Sequence, residues 1–133
     1  MSRFQSELEL KCHRGVPIKD KPFELMAELV YRTDLLLIAT HIVVPAGYRT
    51  DFASIPRIMW RIIGSPASGK YREAAVIHDW LCDEAFHSVD SDTAADIFNE
   101  AMVDLGVSVW RRWMMVKAVK WFGPKFKRSK SFQ

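Results

Sequence analysis

The sequence predicts an α+β domain, a small N-terminal antiparallel β-sheet built on a hairpin and followed by a bundle of about four helices. Three observations lead there. Apolar and charged residues alternate through the first third of the chain, which is the period of half-buried strands. From Ile55 to Phe122 the apolar residues recur at helical spacing, in stripes separated by Gly, Pro and Ser. With 133 residues, 49% of them hydrophobic, there is enough core for one domain to fold unaided. That domain is expected over 1–124, with 125–133 as a basic C-terminal tail.

The strands come first. Leu8, Leu10 and Cys12 alternate with Glu7, Glu9 and Lys11, and His13 to Pro22 is a loop rich in Gly, Pro and charge. Phe23, Leu25, Ala27, Leu29 and Tyr31 alternate next, against Glu24 and Glu28. Arg32-Thr33-Asp34 makes a short turn into Leu35 to Val44, an apolar, β-branched run expected to be buried on both faces and to close the hairpin. Pro45-Ala46-Gly47-Tyr48 breaks it.

The helices follow. Ser54 before Pro56, with Ile55, Ile58, Met59, Ile62 and Ile63, reads as an N-cap and a short amphipathic helix ended by Gly64. Tyr71 to Phe86 carries Ala74, Ile77, His78, Leu81, Cys82 and Ala85 on one face. Between Ser91 and Leu105 the buried stripe is Ala95, Phe98, Met102 and Leu105, with Asp92, Asp96 and Glu100 stacked beside it. Gly106 closes that helix, Ser108 can cap the last one, Val109 to Phe122, and Gly123-Pro124 stops it. Trp110, Trp113 and Trp121 sit at helical spacing and read as core packing in preference to a base-stacking platform.

Composition narrows the setting. Cys12 and Cys82 are too few and too far apart for a disulfide framework or a zinc cluster, and the polar N-terminus resembles no signal peptide. The longest apolar run, Leu35 to Ala39, is far too short to span a membrane. These features lead us to expect synthesis in a reducing cytoplasm. The net charge of +3 conceals an asymmetry: from Leu105 onward, Arg111, Arg112, Lys117, Lys120, Lys125, Lys127, Arg128 and Lys130 face no acid in the same stretch. A basic end of this kind can meet an acidic protein face, anionic lipid or nucleic acid. Docking on another protein or a second copy, with Phe126 as anchor, ranks first, and nucleic acid second because the rest of the chain is acidic.

The candidate chemistry centres on His78-Asp79. His78 points inward from an apolar stripe, and Asp79 lies about 100° further round. A histidine of this kind is either a satisfied core residue or a base held by a carboxylate. Asp51, on the loop Thr50-Asp51-Phe52-Ala53-Ser54, and Asp96 or Asp92, on the next helix, are the carboxylates that could share its pocket. As an enzyme, the chain would use His78, Asp96 and Asp51 catalytically, and Asp79 with Asp51 could hold Ca²⁺ or Mg²⁺ through oxygen. Each has a plainer role: Ser54 as a cap, Asp51 in a turn, Asp96 as a solvated flank, Cys82 as packing.

Three stretches carry a resemblance. Val44-Pro-Ala-Gly-Tyr-Arg-Thr-Asp-Phe-Ala-Ser-Ile-Pro56, Ala74-Ala-Val-Ile-His-Asp-Trp-Leu81 and Ala95-Asp-Ile-Phe-Asn-Glu-Ala-Met102 resemble an uncharacterised family of small proteins of tailed bacteriophages and prophages. The likeness runs from about Leu35 to Pro124, and a tyrosine is usual in that family where this chain has Cys82. It implies a phage protein made in the bacterial host cytoplasm and incorporated in, or used to assemble, the virion. Ala-Ala-x-x-His-Asp with a later Ala-Asp near a Phe also resembles the site of parvoviral and bacterial phospholipase A2. That likeness implies His78 as the base, Asp79 on Ca²⁺ and Asp96 orienting the histidine. A third and weakest likeness is to the His-Asp phosphohydrolases, which need a further upstream His. The expected function is therefore a tail-associated or assembly component with a buried Asp51–His78–Asp79 network, partnered by other phage structural proteins or by itself. The alternative is a His-Asp hydrolase acting on acyl esters or the host envelope.

Overall fold

Five short strands and three helices make up the regular structure among the described residues of the computed structural model, which are 3–17, 20–36, 41–50, 61, 71–83 and 91–122. The chain divides into two units, Met1–Asp51 and Phe52–Gln133, with the strands in the first and the helices in the second.

In the first unit, β1 (Leu10–Cys12) and β5 (Arg49–Thr50) flank β2 (Phe23–Leu25) in an antiparallel sheet, with Leu10 opposite Leu25 and Phe23 opposite Thr50. A separate antiparallel pair joins β3 (Leu29–Arg32) to β4 (His41–Val44), with Leu29 opposite Val44 and Tyr31 opposite Ile42. The expected continuous strand over Phe23 to Tyr31 is thus broken at Met26–Glu28. The alternation survives the break: Phe23, Leu25, Leu29 and Tyr31 are all buried. The hydrogen bonding does not. Leu25 donates to the Tyr48 carbonyl at 2.9 Å and accepts from Gly47 at 2.7 Å, while Met26 donates to the Glu9 carbonyl at 2.8 Å. Gly47 turns back onto Leu25 with φ +89°, a conformation that a residue without Cβ adopts freely.

Two details of the hairpin differ from expectation. Leu35 to Val44 is not buried on both faces: Ile42 and Val44 are buried while His41 and Val43 are exposed, so this sheet covers a core on one side only. Nor is Arg32-Thr33-Asp34 the whole connection, since the ladder ends at the pair Arg32–His41. Thr33 is buried and its Oγ1 accepts the Leu35 N–H at 3.1 Å, a local turn made by a hydroxyl. The outer edge of β3 is covered by residues 3–6. Arg32 donates to the Arg3 carbonyl, Gln5 donates to the Val30 carbonyl and Val30 donates to Ser6 Oγ, all within 2.9 Å. Phe4 stacks on Tyr31 with ring centroids 4.7 Å apart. This pairing removes an open edge that would otherwise template association.

In the second unit, α1 (Arg72–Asp83) packs on α2 (Ser91–Asp104), which packs on α3 (Val109–Phe122). The described helices number three, where the sequence suggested about four. Of the short helix expected at Ile55 to Ile63, Arg61 alone is among the described residues, and it is helical and exposed. Ala74 to Asp79 are buried without interruption, so the middle of α1 is enclosed all round where the sequence suggested a single inward stripe. Ala94, Ala95 and Ala101 on α2 are buried beside Ile97, Phe98 and Met102, and their small side chains let neighbouring helices approach.

The turn from α2 to α3 is closed by hydrogen bonds. Val107 donates to the Met102 carbonyl at 3.0 Å and Gly106 to the Val103 carbonyl at 3.1 Å, with Gly106 at φ +77°. That is the paired-bond helix stop that a left-handed glycine allows. Ser108 begins the next helix, its carbonyl accepting the Arg112 N–H at 2.9 Å. The Arg112 guanidinium then reaches back, donating to the Val107 carbonyl at 3.1 Å and to Asn99 Oδ1 at 3.3 Å. One side chain thereby ties α3 to α2. No helix among the described residues is long and apolar enough to cross a membrane.

Candidate functional site

His78 and Asp79 sit in the middle of α1 and are 3% and 4% exposed. Burial of the pair follows from the sequence around it, because Ala74, Ala75, Val76, Ile77 and Leu81 leave this part of the helix almost wholly apolar and all are buried. The imidazole lies against the Phe98 ring of α2, centroids 5.1 Å apart and planes inclined at 45°. One turn along α1, the Cys82 sulfur is 3.7 Å from Nδ1 and 3.9 Å from Nε2. A sulfur nearly equidistant from both ring nitrogens cannot lie along the lone pair of either. The contact is therefore packing with a weak polar component, as the sequence suggested, and it is not the alignment of a thiol with its base.

The electrostatics follow from this enclosure. Removing the imidazole from water penalises its charged form, and burial pushes the His78 pKa from 6.5 down to about 4. His78 is neutral at pH 7. Tyr71, just ahead of α1, is pushed the other way, up to about 12, by the same loss of solvent acting on a phenol.

The other candidate residues are distributed differently. Asp96 is exposed and lines a groove between α2 and α3 beside Asn99, Arg112 and Trp113. Asp92 is exposed as well. Neither makes a hydrogen bond or ion pair with His78, whose ring contacts among the described residues are Cys82 and Phe98. Asp51 and Ser54 lie outside the described residues, as do the 64–69 loop and the 125–133 tail with Phe126. Among the described residues no three of His, Cys, Asp and Glu converge as metal ligands would.

Trp113 and Trp121 line this groove, where the sequence suggested that they and Trp110 pack in the core. Trp110, Trp113 and Trp121 are 53%, 61% and 71% exposed, so they are not core. The inward face of α3 is instead Met115, Ala118 and Val119. A helix with apolar residues on opposite sides offers two candidate inward faces, and the bulkier one is not always chosen. The signal that could have separated them is the cations: Lys117 and Lys120 share the tryptophan face, and charged side chains are rarely buried unpaired.

Two relatives from Sinorhizobium fredii, both described as uncharacterized proteins, are similar to this chain. One, y4jT, is 43% identical over 84 residues, covering 61% of this chain and 24% of its own length. The other, y4iH, is 36% identical over 78 residues, covering 59% of this chain and 32% of its own length. The chain thus spans a third or less of these relatives. No solved structure matches it. The match that covers most of the chain is to a family model described as protein of unknown function (DUF1353), over residues 23–119, and the chain belongs to that family.

Proposed function

We propose that this chain is a non-catalytic component of a bacteriophage particle or of its assembly, tail-associated in our reading, in which His78 and Asp79 stabilise the helical core. The observation that supports this most is the setting of His78. A general base works best with a pKa near the operating pH and with access to the proton it takes. An imidazole 3% exposed, held between Phe98 and Cys82 and shifted to about 4, has neither property. Buried polar groups of this kind fix a core when every member is satisfied. The phage setting rests on the motifs Val44 to Pro56 and Ala74 to Leu81, and with it go other phage structural proteins as partners.

The experiment is His78→Ala in the full chain, read both by chemical denaturation and by hydrolysis of a phospholipid ester with and without Ca²⁺. The expected result is a loss of stability of about 2–4 kcal/mol and no esterase activity in the parent protein. An unchanged unfolding midpoint, together with parent activity abolished by the substitution, would establish the His-Asp hydrolase instead. Neighbouring genes for host metabolism alone, without tail or lysis genes, would overturn the phage setting.

A further inference from the structure

We infer that the groove between α2 and α3 is a docking site for an acidic peptide segment of a partner protein, anchored there by an apolar side chain. The inference deepens the binding reading above and adds the site and the chemistry of the partner. Three features of the helical unit lead to it.

The first is the unpartnered apolar surface. α3 buries Met115, Ala118 and Val119 on one side, yet Val109, Trp110, Trp113 and Trp121 stand largely in solvent on the other. Large exposed apolar groups gathered on one face mark interaction sites on proteins. Tryptophan and arginine are the residues most enriched where binding energy concentrates.

The second is shape. The groove encloses about 410 Å³, with Val109, Trp113, Val116 and Trp121 as apolar wall and Arg112, Lys117 and Lys120 as cations. That volume takes a side chain or two with their backbone. A flat lipid surface cannot fill a concavity, so a membrane is disfavoured.

The third is charge. α3 carries Arg111, Arg112, Lys117 and Lys120 and no acid, and among the described residues none of the four pairs with a carboxylate. Asp96 is the single acid among the described residues that line the groove. The chain's own end, 123–133, is cationic without an acid and lacks the charge that such a site attracts, and an acidic segment of another molecule supplies it. Nucleic acid shares the negative charge but not the fit. Arg111 already lies 5.3 Å over Trp110 and Lys117 4.8 Å over Trp113, so a stacking base must compete with a cation for the ring face. A carboxylate needs no such exchange, because it can pair with those cations where they stand.

The test selects a display library of random dodecapeptides on the full-length protein. Enriched peptides are then measured by fluorescence anisotropy against the parent, Trp113→Ala and the double variant K117E/K120E. All three positions are exposed, so the fold is retained, and circular dichroism verifies this. The expected result is peptides rich in Asp and Glu around one aliphatic or aromatic residue, with affinity falling about tenfold or more in each variant. Enriched peptides of no acidic bias, or equal binding by K117E/K120E, would overturn the inference. So would tighter, variant-sensitive binding of oligo-dT or of phosphatidylserine vesicles assayed in parallel. Because these substitutions leave His78 untouched, failure here is distinct from failure of the core-stabilising reading.

Discussion

The imidazole of His78 rests on the phenyl ring of Phe98, centroids 5.1 Å apart at 45°, so the residue that meets the buried histidine from the neighbouring helix is an aromatic ring. Enclosed there, the imidazole is held away from the water that its charged form needs. Acid should therefore act on the fold through His78.

An unfolded histidine titrates near 6.5, whereas His78 in the fold titrates near 4. Between those values the unfolded chain binds a proton that the folded chain does not, so unfolding is favoured as pH falls. The contribution of His78 is full above about pH 6.5, declines through the window, and has lost about 3 kcal/mol near pH 4. Urea titrations at pH 7.5, 5.5 and 4.5, compared with His78→Leu, isolate it. The variant should show a shallower decline, and equal slopes would show that the histidine does not titrate this way.

Phe98→Ala should destabilise by about 3–5 kcal/mol, the cost of deleting a fully buried ring and leaving a cavity. It should also raise the His78 pKa by admitting water beside the imidazole. The pKa can be followed by NMR of the ring protons across pH 4 to 7.

Met115→Ala and Trp113→Ala separate the two faces of α3. Met115 is buried and Trp113 is 61% exposed. Removing the methionine should cost about 2–4 kcal/mol. Removing the larger tryptophan should stay within about 0.5 kcal/mol. Thermal melts of both variants decide it, and a reversed order would place the tryptophan in the core.

Gly106→Ala should cost about 1 kcal/mol, from the left-handed φ of +77° alone. A Cβ built there meets no atom within 4 Å, so no steric term adds to it. Gly106→Asn should recover part of the loss, since asparagine tolerates that conformation better. Denaturation midpoints of the two variants are the measurement.

Much of this was legible in the residues. The alternation of Phe23, Leu25, Leu29 and Tyr31 gave the buried faces of β2 and β3, because side-chain direction depends on the pleat. It could not give the change of hydrogen-bond partner at Met26, which leaves that alternation intact. The inward direction of His78 and the packing role of Cys82 followed from the stripe on α1. The neighbour of His78 did not follow: Phe98 lies about 200° round α2 from Asp96, on the buried stripe, but an antiparallel packing of two helices does not say which residue of that stripe lies level with the imidazole. The tryptophans went wrong for a related reason: on α3 both sides are apolar, and hydrophobicity alone cannot say which faces inward.

Four residues, Leu105 to Ser108, separate the end of α2 from the start of α3; Leu105, Gly106 and Val107 are bonded back into α2 and Ser108 opens α3. A link this short works as a phase setter. Each residue turns a helix by about 100°, so one residue inserted there would rotate α3 by more than a quarter turn. Met115 and Ala118 would leave the interior, and the Arg112 reach to Asn99 would be lost with them. The link can therefore vary in sequence far more readily than in length, and among related chains the spacing from Met102 to Arg112 should stay constant.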